Sequence, residues 1–153
     1  MALLGLSDGW QNIKEIFSQR IHPEEQARLA DMDKKLGEKY DISVKDNVTA
    51  YMGFTSAEVN GQLKTDVLEF FLNDFTQCEI PKESPEVLVG NWSVQIGNKF
   101  FTESGYYHYV DDEFVYFKVY TDGSPDDFKL YKVNRNLEQS IGDRLFKHLH
   151  KTN

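Results

Sequence analysis

Between Trp92 and Tyr131 the chain gathers Trp92, Phe100, Phe101, Tyr106, Tyr107, Tyr109, Phe114, Tyr116, Phe117, Tyr120, Phe128 and Tyr131, twelve of its 21 aromatic residues. Gly97-Asn98, Ser104-Gly105, Asp111-Asp112 and Asp122-Gly123-Ser124-Pro125 interrupt the stretch. Aromatic and β-branched residues suit a pleated, half-buried surface, and turn residues at this spacing punctuate an antiparallel meander. The stretch therefore predicts a curved antiparallel β-sheet over about 92–133. Its strands begin with Trp92, Val94 and Ile96 on one face and continue through Lys99–Glu103, Tyr106–Val110, Phe114–Tyr120 and Phe128–Val133. In Phe114–Tyr120 the alternation puts Val115, Phe117 and Val119 on the core face. Phe114, Tyr116, Lys118 and Tyr120 share the other.

Upstream the period changes. Ser7 or Asp8 suits the cap of a first helix, in which Trp10, Ile13 and Phe17 make one stripe. Pro23 opens a second helix with Glu24 and Glu25 at its positive end, and Leu29, Met32, Leu36 and Tyr40 step along one seam. Together they predict an N-terminal helical hairpin. At the other end, Asn136 and Gln139 have capping-box spacing ahead of a C-terminal helix. Leu137, Ile141, Leu145 and Leu149, widened by Phe146, give that helix a face to pack on the sheet. Residues 42–75 fit either a hairpin plus a helix or helix throughout. Val48, Ala50, Met52 and Phe54 alternate, Asn60-Gly61 is a hairpin dipeptide joining Thr55–Val59 to Gln62–Asp66, and Val67, Leu68, Phe71, Leu72 and Phe75 share a helical face after Thr65 or Asp66. Helices, sheet and helix in segregated runs indicate an α+β fold in a single domain, 1–153, with an internal loop near 76–90.

Gly90-Asn91-Trp92 resembles the Gly-x-Trp that opens the first strand of lipocalin barrels, and Thr121-Asp122 resembles a second motif of that family. About eight strands follow that Trp in a lipocalin. Only 61 residues follow Trp92, the last ones helical in pattern, so a full barrel of that type does not fit. The resemblance implies a smaller curved sheet with a hydrophobic pocket.

The net charge of −8 is uneven: from Phe128 onward six Lys/Arg outnumber two acids for +4, leaving −12 for the rest. Such a chain repels phosphate backbones and anionic lipid, so nucleic-acid and membrane partners are disfavoured. No apolar run nears the length of a membrane span, and Met1–Leu6 is too short for a signal peptide, which predicts a cytoplasmic protein. In that setting the triplets Asn47-Val-Thr49 and Asn91-Trp-Ser93 are chance matches to the glycosylation pattern.

Residues with chemical potential are few. Cys78 is the one cysteine and has Glu79 beside it, so neither a disulfide within the chain nor an activated thiolate is expected. His148 and His150 face apart on a helix, His22 precedes a helix, and His108 lacks a neighbouring nucleophile. Asp122, Ser124 and Asp126 alternate as calcium ligands do, but a Gly sixth and a Glu twelfth are missing and a β-turn explains them. No cofactor or metal is implied. The reading that remains is an interaction protein, inhibitor- or immunity-like, binding a basic protein partner through an aromatic face with an acidic rim. The residues concerned are Asp111, Asp112, Glu113, Phe114, Tyr116, Tyr120, Asp122, Asp126 and Asp127. A domain binding an apolar small molecule between sheet and helices is the rival, and a hydrolase or transferase without a recognisable motif is third.

Overall fold

The computed structural model describes residues 23–80, 92–104 and 113–152. The predicted first helix, residues 81–90 of the predicted 76–90 loop, the Tyr106–Val110 strand, His22, His108, Asp111 and Asp112 lie outside them, and the start of that loop, Thr76–Cys78, is a strand instead. The chain divides into two compact units, Met1–Asp46 and Asn47–Asn153.

In the first unit, α1 (Pro23–Tyr40) starts at the expected proline with Glu24 and Glu25 in its first turn. The predicted seam of Leu29, Met32, Leu36 and Tyr40 is the buried one. The helix stops where Asp41 turns left-handed (φ 60°) and its N–H bonds back to Gly37 O at 3.0 Å. Asp33 then ties the exit segment to the helix, its Oδ1 accepting from Ser43 Oγ at 2.7 Å and Val44 N at 2.8 Å.

The second unit holds β1 (Val48–Met52), β2 (Thr55–Glu58), α2 (Gly61–Asp74), β3 (Thr76–Cys78), β4 (Ser93–Ile96), β5 (Lys99–Ser104), β6 (Phe114–Thr121), β7 (Lys129–Asn134) and α3 (Arg135–Thr152). The strands form one antiparallel sheet in the order β2-β1-β4-β5-β6-β7-β3. This is the expected α+β architecture, with the C-terminal helix packed against β1, β2, β6 and β7. Trp92 precedes the fourth strand of an open sheet, so the likeness to a lipocalin's first strand does not carry over.

Three local expectations shift. The 48–59 hairpin turns at Gly53-Phe54, with Met52 opposite Thr55, not at Asn60-Gly61. Gly53 supplies the positive φ (60°) that a two-residue hairpin needs, and Phe54 stands fully exposed at the tip instead of ending a strand. Asn60 is extended (φ −130°) and becomes the residue before α2, which starts four residues ahead of the anticipated cap Thr65. Finally, β5 pairs directly with β6 from Lys99↔Thr121 to Ser104↔Tyr116, with no strand between them. That register sets Phe101 beside Val119 and Glu103 beside Phe117.

The core of this unit lies between the sheet and its two helices. Phe71 of α2 stacks on Phe101 of β5 (centroids 4.2 Å apart), and Phe75 meets Phe71 and Phe117 at 4.9 and 5.1 Å. Val115, Phe117 and Val119 are buried on this face as their alternation predicts. On α3 the inward stripe is Glu138, Ile141, Gly142, Leu145 and Leu149, whereas Leu137 and Phe146 are 44% and 51% exposed. Residues four apart advance about 400° on a helix, so each step drifts about 40° and three steps carry Leu137 off the stripe. Asn134, not Asn136, caps the helix, its Oδ1 accepting from Asn136 N at 2.9 Å and Leu137 N at 3.2 Å.

Candidate functional site

The sheet face turned away from α2 and α3 takes the alternate residues of each strand. Across β1, β5 and β6 it carries Tyr51, Phe100 and Tyr120, all half-buried. Phe100 and Tyr120 are register partners with stacked rings 5.6 Å apart, and Tyr51 lies 6.4 Å from Phe100. Polar contacts fix both ends of this ladder. Tyr51 OH donates to Gln95 Oε1 at 3.2 Å, and Tyr120 OH and Thr102 Oγ1 lie 3.4 Å apart. Cross-strand aromatic pairs of this kind add about 0.2–1 kcal/mol each.

Toward β7 the same face becomes cationic. Lys118 Nζ sits 4.6 Å over the Phe128 ring and Lys132 Nζ 4.7 Å over the Phe114 ring. Of the sequence-predicted residues, Tyr116 is buried at 8% exposure, while Phe114 and Tyr120 are half-buried. Glu113 is exposed at one end of β6, and Asp122, Asp126 and Asp127 are exposed in the turn at the other. The eight residues of β6 separate Glu113 from Asp122, about 30 Å. The acidic residues thus stand at the two ends of the strand, with aromatic and lysine side chains between.

The sequence reading missed Phe100 and Tyr51 as members of this face, because the pairing of β1, β4 and β5 that aligns them is non-local. It also missed a polar contact in the core. Trp92 Nε1 donates to Glu138 Oε2 at 2.7 Å, and Glu138 is only 6% exposed. Burial raises the Glu138 pKa above the ordinary glutamate value; the Trp92 hydrogen bond and Arg135 pull it down, and Asp143 pushes it up. Gly142 lies alongside, where a Cβ would come within 2.9 Å of Trp92 Nε1. Helical phase was the signal available in the sequence: position 138 sits about 20° from Leu149 on the helix, much nearer than position 137.

Between α2 and α3 runs a groove of about 250 Å³, lined by Asp66, Glu69, Asn73 and Asp74 over Phe70, Leu137, Ser140 and Ile141. Asp66 is bound there by Arg144 at 2.8 Å. Cys78, half-buried at the sheet edge, has its thiol pKa raised by burial and partly offset by Lys132. His148 Nε2 lies 2.7 Å from Glu58 O, and the His150 ring packs on Phe146. Among the described residues no group of three His, Cys, Asp or Glu is placed to hold a metal ion. Nor is any helix among them long and apolar enough to cross a membrane.

An open α+β sheet with helices on one face and a half-exposed aromatic ladder on the other defines the class of domain. Comparison with protein-family models, with curated proteins and with solved structures gives no match.

Proposed function

We propose that this chain is a non-enzymatic, cytoplasmic protein-interaction domain, inhibitor- or immunity-like, that captures a basic protein partner on the sheet face opposite α2 and α3. The observation that carries this reading is the half-exposed ladder of Tyr51, Phe100 and Tyr120, flanked along β6 by Glu113 and by Asp122, Asp126 and Asp127. Aromatic side chains supply contact area at interface centres, and peripheral charges steer association. The net charge of −8 favours a cationic partner. Lys118 and Lys132 lie over rings in the middle of the face, so basic groups of the partner fit at the strand ends rather than the centre. Among the described residues, Phe71, Phe75, Phe101 and Phe117 pack against one another between the sheet and its helices.

The test is capture of partner from the source lysate by the tagged chain, across a salt series, with wild type beside two variants. Glu113, Asp122, Asp126 and Asp127 changed together to Lys should abolish capture, and Phe100→Ala with Tyr120→Ala should weaken it without unfolding the chain. Capture that resists rising salt and survives the charge reversal would overturn the proposal.

A further inference from the structure

Asn60-Gly61 is the only Asn-Gly pair in the chain, and it makes no hairpin. It forms instead the joint between two fixed parts of the second unit. On one side Val59 is fully buried, and its N–H bonds to Val48 O at 2.8 Å. On the other side α2 is anchored in the core by Val67, Leu68, Phe70 and Phe71. The joint itself is open. Asn60 and Gly61 are both exposed, and beyond the adjoining chain a Cβ on Gly61 would meet no described atom within 4 Å. Asn60 stands at the N-cap of α2 with an extended backbone (φ −130°, ψ 174°), yet its side chain makes no capping hydrogen bond. Asparagine is among the residues best suited to make one, so the carboxamide is left over. The Gly61 N–H lies in the first turn of a helix and has no partner within it. The Asn60 carbonyl is held loosely, by Lys64 N at 3.4 Å. Glycine has no Cβ to screen its nitrogen, and its backbone freedom lets the chain bend toward the preceding side chain.

We propose that Asn60 is a self-modification site, where the chain converts the side-chain amide to aspartate and isoaspartate and so alters the start of α2. In the first step the Gly61 nitrogen gives up its proton to solvent and attacks Asn60 Cγ. The new N–Cγ bond closes a five-membered succinimide, and the Cγ–Nδ2 bond breaks to release ammonia. Water then opens the ring. Addition at Cγ restores the ordinary main chain and leaves an aspartate. Addition at the main-chain carbonyl of residue 60 breaks its bond to the Gly61 nitrogen and leaves an isoaspartate, with the main chain running through the former side chain. The two products act differently on the fold. An aspartate places a negative charge at the positive end of α2, where the helix dipole favours it. An isoaspartate lengthens the main chain by one carbon between Val59 and α2, both of them pinned. The extra length is taken up by unwinding the first turn of α2 or by breaking the Val59–Val48 bond.

The experiment ages the full chain in mildly alkaline buffer and maps its peptides by mass spectrometry at intervals. The peptide carrying Asn60 should show the mass gain of an amide becoming an acid, ahead of every other asparagine in the chain. The conversion should quicken as pH rises, because the attacking nitrogen must first lose its proton. Two products of equal mass should separate on the column. Asn60→Ser, which keeps a capping hydroxyl, should remove the conversion from this peptide. The aged fraction that holds isoaspartate should melt below the fresh protein. Asn60→Asp, the standard for the other product, should melt at or above it. Amide loss that is absent at residue 60, or no faster there than at the other asparagines, would overturn the site. An isoaspartate fraction that melts with the fresh protein would overturn the effect on α2. Should Asn60→Ser not fold, the wild-type peptide map still decides the matter.

Discussion

Phe100 and Phe101 are neighbours in β5, yet they belong to two different surfaces. Phe101 is fully buried against Phe71 on the helix-bearing face. Phe100 is half-buried on the opposite face, its ring stacked on Tyr120 of β6 and 6.4 Å from Tyr51 of β1. On the first face the partners are carbon from α2 and β6, and the space is filled. On the second, hydroxyls, an amide and two lysine ammonium groups lie among the rings. One strand thus holds a fully buried residue of the helix-bearing face next to a half-buried residue of the other.

The largest effect that could break this contrast comes from truncating each in turn. Phe101→Ala removes a ring stacked at 4.2 Å in a filled interior and should cost about 3–5 kcal/mol. Phe100→Ala gives up only cross-strand ring pairs and part of its burial, and should cost about 1 kcal/mol or less. Urea unfolding with unchanged m separates them. Equal losses would mean that the second face is as much core as the first.

Next in size are two helical glycines. At Gly142 an added methyl would meet Trp92 Nε1 at 2.9 Å, so Gly142→Ala must displace the indole from Glu138 or shift α3. Overpacking of this kind costs about 1–3 kcal/mol, more than the roughly 1 kcal/mol that Ala gains in helix propensity. In α1 the nearest atom to a Cβ on Gly37 is Ile42 O at 3.8 Å, an ordinary contact. Gly37→Ala should therefore stabilise by about 0.5–1 kcal/mol. Thermal unfolding of both variants checks the opposite signs.

The same contrast explains what could be read from the residues. Val115, Phe117 and Val119 were legible as core because complete burial on one face leaves a two-residue period. The other face carries Phe114, Tyr116, Lys118 and Tyr120, a pattern compatible with either outcome, and burial indeed varies along it from Tyr116 to Tyr120. Turn chemistry misled where two signals competed. Asn60-Gly61 is the stronger hairpin dipeptide, but the apolar face from Val67 to Phe75 recruits Gly61 into α2, and Gly53-Phe54 makes the turn instead. Glu138 was hidden by its charge, since a four-residue ladder of leucines and isoleucine offered itself one position away. Asn134 was overlooked as a cap because it is also the last residue of β7. Each miss involves a residue serving two elements at once, which a window along one element does not register.

The smallest effect tests the cationic end of the second face. Lys132 lies over Phe114 and also lowers the pKa of Cys78, on the adjacent strand β3, against the raising effect of burial. Lys132→Met keeps most of the stem's packing and removes the charge. An exposed cation–π contact is worth about 0.5–1 kcal/mol, so the stability loss should stay within that range. The thiol should respond more clearly. With its nearby cation gone, burial acts unopposed, the pKa rises further, and less thiolate is present at any given pH. Alkylation of Cys78 should therefore slow in the variant, and because the chain has one cysteine the rate needs no assignment. An unchanged rate, together with unchanged stability, would show that the Lys132 ammonium spends its time in water rather than over the ring, and would remove the positive charge from this end of the face.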